Sequence, residues 1–259
     1  MPQTSTRERK DAPRVTFTQV VGEIFVTVGV LVLLFAFYES FWTNLEAGRK
    51  QEVANAQLED TWENRRGQGT PELGNAFARL YIPHFGSDFH FAIVEGTNEE
   101  QLLAGPGHYP ETQGAGQAGN FALAGHRVGK GAPFNDLGAL KTCDALVVET
   151  QTTWEIYRVL PTPGSGDLSC FSPDQQVRIT GGDYAHVQGR YITTPSDVAV
   201  IDPLPHTEAA PEGLEALITL TTCHPQFSNA ERMIVHGMLT ESLPKEPGVV
   251  PTVLGGKNV

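Results

Sequence analysis

The 259-residue sequence predicts a mainly β fold of eight short strands with short helices, preceded by one N-terminal transmembrane helix. Three observations lead there. The 27 glycines and 18 prolines are too many for a helical bundle and suit a turn-rich β protein. Short apolar runs of β-forming residues recur between turn signals through most of the chain. One long apolar stretch, Val20–Tyr38, stands apart near the N-terminus.

That stretch, at about 1.5 Å per residue, covers roughly 28 Å of hydrocarbon as a helix. Its only charge, Glu23, lies one turn from the N-terminal end, within reach of the headgroups. Tyr38, Phe41 and Trp42 form an aromatic belt at the far end, so the anchor is read as residues 20–42. A cleaved signal peptide is the alternative, but no small-x-small site follows the apolar run. Residues 1–19 carry Arg7, Arg9, Lys10 and Arg14 against Glu8 and Asp11. The positive-inside rule therefore predicts a cytoplasmic N-terminus and an extracellular body, anchored in the cell membrane by a single pass.

The net charge of −12 resides in that body, and an acidic surface excludes nucleic acid as a partner, because phosphate contacts need clustered Lys and Arg. Residues 43–74 are polar and rich in helix formers and read as a solvated juxtamembrane stalk ending in Gly/Pro punctuation. The body spans residues 75–243, and residues 244–259 read as a flexible Pro/Gly-rich tail. Strands are expected at Phe77–Ile82, Phe89–Val94, Asn120–Ala124, Ala145–Thr150, Thr153–Leu160, Val198–Ile201, Ala216–Thr222 and Arg232–Leu239. Two short helical pieces are expected at Asn98–Ala104 and Pro133–Leu137.

Candidate chemistry centres on Cys223, one of three cysteines. It ends the apolar run Leu217–Thr222 and is followed by His224-Pro225, which cannot continue a central strand. A strand-end side chain is held by the sheet yet open to a cleft; the competing reading is a plain buried cysteine. His224 is a poor partner, since adjacent strand residues point to opposite faces. His126 follows another strand, and Gly125 lets the chain turn there. Arg232 opens the next apolar strand and is placed to meet an oxyanion, although an arginine at a strand mouth also serves as a surface ion-pair residue.

These residues carry a resemblance. Thr219-Leu220-Thr221-Thr222-Cys223 resembles the TLxTC signature of sortases, the cysteine transpeptidases of Gram-positive cell surfaces. Arg232, nine residues on, matches the position of the family's arginine, and Gly119–Arg127 resembles the segment bearing its histidine. The Gly107–Thr112 stretch and Cys223-His224-Pro225 are most similar to class E, the housekeeping type of high-GC Gram-positive bacteria. The resemblance covers about residues 76–241. It implies an eight-stranded β-barrel with Cys223, His126 and Arg232 as the catalytic set.

It also implies cleavage of a C-terminal sorting signal between Thr and Gly, with transfer of the acyl group to an amine. Its implied partners are secreted proteins bearing that signal and an amine acceptor, a peptidoglycan precursor such as lipid II or a pilin lysine. Tyr109, Asn120, Leu220 and Thr222 are implied to bind substrate, Tyr109 favouring an LAxTG-like signal over LPxTG. No cofactor is implied, and no DxDxDG-type calcium loop is present, so no metal is expected. The segment between Val159 and Pro195 is longer than the resemblance predicts and is read as an added loop or hairpin near the groove. Outside the cell its Cys170 and the preceding Cys143 either form a disulfide or remain two buried thiols. Alternatives of other kinds are an L,D-transpeptidase-like cell-wall enzyme, a cysteine peptidase using water as acceptor, and a non-catalytic surface scaffold.

Overall fold

β-Branched and aromatic residues alternating with polar ones give this chain strands with one face to bury, and closing the sheet on itself satisfies them all. The structure, a computed structural model, describes residues 16–64, 70–129, 131–208 and 212–255. The basic segment of Arg7, Arg9, Lys10 and Arg14, the Gly67–Gly69 punctuation and the last four residues lie outside the described residues. The chain divides between Thr43 and Asn44 into two compact units. Helix α1 (Phe17–Glu63) runs through both. In the first unit, Phe17–Tyr38 is long and apolar enough to cross a membrane, with mean hydropathy 2.6 and none of it buried.

The second unit is a barrel. Its strands are β1 (Ala76–Tyr81), β2 (His90–Glu95), β3 (Gly107–His108), β4 (Gly119–Ala124), β5 (Ala145–Glu149), β6 (Thr153–Val159), β7 (Arg190–Thr193), β8 (Ala216–His224) and β9 (Glu231–Pro244). Neighbours run β6-β5-β1-β2-β3-β4-β8-β9, and β9 pairs back onto β6, so eight strands form a closed ring. Closure is possible because β9 is 14 residues long. Its C-terminal half pairs with β6 from Gly237 to Pro244, and its N-terminal half pairs with β7 from Arg232 to Val235. Alternate residues fill the interior: Ala78 and Leu80, Phe121 and Leu123, Leu146 and Val148, Tyr157 and Val159, Ile218 and Leu220, Met233 and Val235. Full closure leaves few unpaired edges.

Several expectations are corrected. The run Val198–Ile201, read as a strand, is a 3-10 turn; Val200 is buried and its carbonyl accepts from Asn120 Nδ2. The 3-10 turn at Leu137–Ala139 overlaps the helix expected over Pro133–Leu137 at only one residue. The expected helix near residue 98 is present as α2 (Glu99–Ala104), capped by Asn98. The long segment after β6 is not a hairpin but carries helix α3 (Pro173–Gly181), started by Ser172 and Gln175 in a reciprocal cap with Pro173 in the first turn. Cys143 and Cys170 are joined by a disulfide that ties this segment to the barrel. Phe171, Ile179, Tyr184 and Val187 build a second core against Leu217 and Met238. Leu217 is six residues before Cys223, about 20 Å along the strand, so this core lies away from the thiol.

Two polar segments prove better packed than their composition suggests. Residues 44–63 of α1 are not a solvated stalk: Ala47 and Leu58 are fully buried, and Ala54 and Leu58 pack with Ala76, Ala92 and Val94. Trp62 receives Lys245 over its ring, and Lys245 in turn reaches Glu149 Oε1 at 2.6 Å. The tail is docked as far as it is described, with Val253 and Leu254 against Ala145, Val147, Trp154 and Ile156.

Candidate active site

Strand register assembles the site. On β8, Ile218 and Leu220 face the interior, so Thr219, Thr221 and Cys223 face outward. β4 runs parallel to β8 with Ala122 beside Thr219 and Ala124 beside Thr221. The pairing carries on past the strand end: Gly125 N–H donates to Thr221 O at 3.1 Å, and Thr222 Oγ1 donates to Gly125 O at 2.8 Å. His126 is thereby brought abreast of Cys223. On the other side, antiparallel β9 sets Arg232 directly opposite Cys223, and β7 sets Thr193 opposite Arg232. One row across the outer face therefore reads His126, Cys223, Arg232, Thr193.

Cys223 is a free, half-buried thiol. With His126, Arg127 and Phe227 it lines an open cavity of about 530 Å³. Arg232 projects from the same face as Cys223, and its Nη1 donates to the carbonyls of Asn229 (3.1 Å) and Glu231 (3.0 Å), bracing the loop that roofs this cavity. A cleft of about 780 Å³ between Trp62, Phe77 and the β5–β6 turn contains neither cysteine nor histidine. Among the described residues no group of three or more His, Cys, Asp and Glu side chains could hold a metal ion.

Behind this first row lie Ala124, Thr221 and Ile234, then Ala122, Thr219 and His236. Tyr109 borders the second row, its hydroxyl 3.0 Å from Thr221 Oγ1. The side chains of Ala122 and Ala124 on β4 are buried beneath this face. The third row opens a polar chain that is buried at Asn120, Thr219 and His236 and runs out to the exposed His206. Thr219 Oγ1 donates to Asn120 Oδ1 at 2.7 Å and lies 2.8 Å from His236 Nδ1. His236 Nε2 is 3.4 Å from Tyr191 Oη, which is 3.1 Å from His206 Nε2. Burial pushes the His236 imidazole down to about 3, with His206 and His186 adding repulsion, and burial also raises the Tyr191 phenol.

Three of the residues implied to bind substrate are corrected by their surroundings. Leu220 is fully buried in the barrel core. Asn120 is fully buried, and its amide donates to the carbonyls of Val200 and Asp202. Thr222 is buried with its hydroxyl committed to Gly125. All three build the frame from behind, whereas Tyr109 borders the groove. Sequence reasoning passed over Arg127, although its place directly after His126 marked it.

The family model described as "Sortase domain" matches residues 80–240. The chain belongs to the sortase family. Among curated sortases, Sortase SrtE1 of Streptomyces coelicolor is 36% identical over 250 residues, covering 93% of this chain. The chain spans 62% of that relative's length. A solved SrtF sortase from Corynebacterium diphtheriae is 62% identical with a TM-score of 0.69, covering 73% of this chain and 96% of its own. A crystal structure of Sortase E1 from Streptomyces coelicolor with a tripeptide in the active site is 32% identical with a TM-score of 0.53, covering 70% and 97% of the two chains. This sortase is most like class E, as the resemblance implied.

Proposed function

We propose that this chain is a membrane-anchored transpeptidase that cleaves a C-terminal sorting signal between Thr and Gly and passes the threonyl acyl group to an amine. The observation that carries the reading is the row of His126, Cys223 and Arg232 across three paired strand ends, with thiol and imidazole on one cavity.

In this mechanism the Cys223 sulfur, as thiolate, adds to the threonine carbonyl carbon. The negative charge that develops on the carbonyl oxygen is met by Arg232, which turns its guanidinium from the loop carbonyls toward the substrate. Collapse breaks the Thr–Gly bond as the His126 imidazolium gives its proton to the departing amine, leaving a thioester on Cys223. The neutral imidazole then takes a proton from the incoming amine, which attacks the thioester and releases the thiolate. Membrane anchoring through residues 20–42, with the N-terminus cytoplasmic and the barrel outside, sets the enzyme beside both partners: secreted proteins bearing the signal, and a lipid-linked peptidoglycan precursor or a pilin lysine. Tyr109 beside the groove supports an LAxTG-like preference.

The test uses the full chain in detergent, LAxTG and LPxTG peptides, and an amine, read by mass. A peptidyl-amine product is expected, formed faster from the LAxTG peptide. Cys223→Ala and His126→Ala should each reduce it by at least about a thousandfold. Full activity in C223A refutes the reading, and release of free peptide acid alone favours a cysteine peptidase.

A further inference from the structure

Arg127 lies at the cavity wall beside the thiol, yet the chemistry above gives it nothing to do. Its Nη1 donates twice: to the carbonyl oxygen of Cys223 at 3.2 Å and to His224 Nδ1 at 2.5 Å. A guanidinium has no acceptor, so His224 Nδ1 must be the acceptor and carry no proton. The proton of that imidazole then sits on Nε2, which lies 3.9 Å from Glu231 Oε2. His224 and Glu231 are opposite one another in the β8–β9 pairing, one step beyond Cys223 and Arg232.

We infer that Arg127 is a positioning residue for the nucleophile: it clamps the main chain of Cys223 and fixes the neighbouring imidazole of His224 as the neutral Nε2–H form turned toward Glu231. Two consequences follow. A guanidinium bonded to the Cys223 carbonyl fixes the main chain that carries the sulfur. His224, adjacent in sequence to the thiol, is withdrawn as a rival proton acceptor, leaving His126 as the imidazole on the thiol's cavity. The charged and titratable groups around the thiol are His126 and Arg127 from the end of β4, His224 from β8, and Glu231 and Arg232 from β9. Arg127 bonds to both the main-chain carbonyl of Cys223 and the ring of His224.

This inference rests on Cys223 being the nucleophile, so its test includes measurements that need no sorting peptide. In the full chain, Arg127→Met keeps the aliphatic stem and removes the fork. We expect alkylation of Cys223 by iodoacetamide to slow about tenfold, and kcat for transpeptidation to fall similarly with KM within twofold. Arg127→Lys restores charge with a single donor and should recover part of both rates. Nitrogen-15 histidine spectra of the unmodified protein should give His224 an unprotonated Nδ1, and that signature should be lost in Arg127→Met. Unchanged alkylation in a folded Arg127→Met variant overturns the inference, as does a protonated Nδ1 in the unmodified protein, a measurement that stands even where the variant fails to fold. Activity surviving in C223A would sink the nucleophile reading instead, while the spectra would still decide the clamp.

Discussion

His236 ties stability of the site to pH in a calculable way. Its ring is fully buried, and burial first, then the charges of His206 and His186, lower its protonation to about 3 from the ordinary 6.5. The hydrogen bonds agree with a neutral ring. Thr219 spends its only proton on Asn120, so His236 Nδ1 donates to Thr219 and Nε2 accepts from Tyr191. Because the folded value lies below the unfolded one, the unfolded chain binds the extra proton. Stability is therefore fully present above about pH 6.5 and is lost as pH falls from there toward 3. At pH 5 the loss is 1.5 decades of proton binding, about 2 kcal/mol. Urea unfolding of the full chain at pH 7.5 and 5.0, compared with His236→Gln, isolates this share, since contributions from other groups cancel between the two proteins. The unmodified protein should lose about 2 kcal/mol more than the variant over that interval. Equal losses, or a His236 ring signal that titrates near pH 6.5 in the folded protein, would refute the argument.

Two further outcomes test the packing. Leu58→Ala removes a fully buried side chain from the seam between α1 and the barrel and should cost about 3 kcal/mol in urea unfolding, where a solvated stalk would show no effect. Replacing Cys143 and Cys170 together by Ser opens a link between residues 27 apart and should cost about 3 kcal/mol, with alkylation of Cys223 within twofold of normal because the second core packs at the far end of β8.

What could be read in advance followed from local patterns. The alternation on β4, β8 and β9 was visible, and so were the thiol, the imidazole and the guanidinium at the ends of those strands. Signals that depend on tertiary context were misread. Val198–Ile201 has β-forming residues, but Val200 is buried and its carbonyl takes the Asn120 amide as partner, so a tight turn wins. Residues 44–63 look solvated because only Ala47, Ala54 and Leu58 mark their buried side, too few apolar residues for a clear helical stripe. Helix α3 starts at the reciprocal cap of Ser172 and Gln175, inside the segment read as a loop or hairpin.

The site itself depends on a pairing that no local pattern reveals. Residues 124 and 221 are neighbours only because β4 and β8 run parallel, an arrangement that needs a long connection between them. Once that register is fixed, a period of two decides the rest. Thr222 turns in and locks onto Gly125, and Cys223 turns out beside His126 and opposite Arg232. His224, nearest to the thiol in sequence, is carried to another partner, where Arg127 and Glu231 hold it. A slip of one residue would exchange these roles and put a threonine or a histidine where the sulfur stands. The rows behind Cys223 therefore matter to chemistry as well as to stability: Thr221 bonded to Tyr109, and Thr219 bonded to Asn120 and His236, pin β8 so that one outward side chain at its end is the thiol.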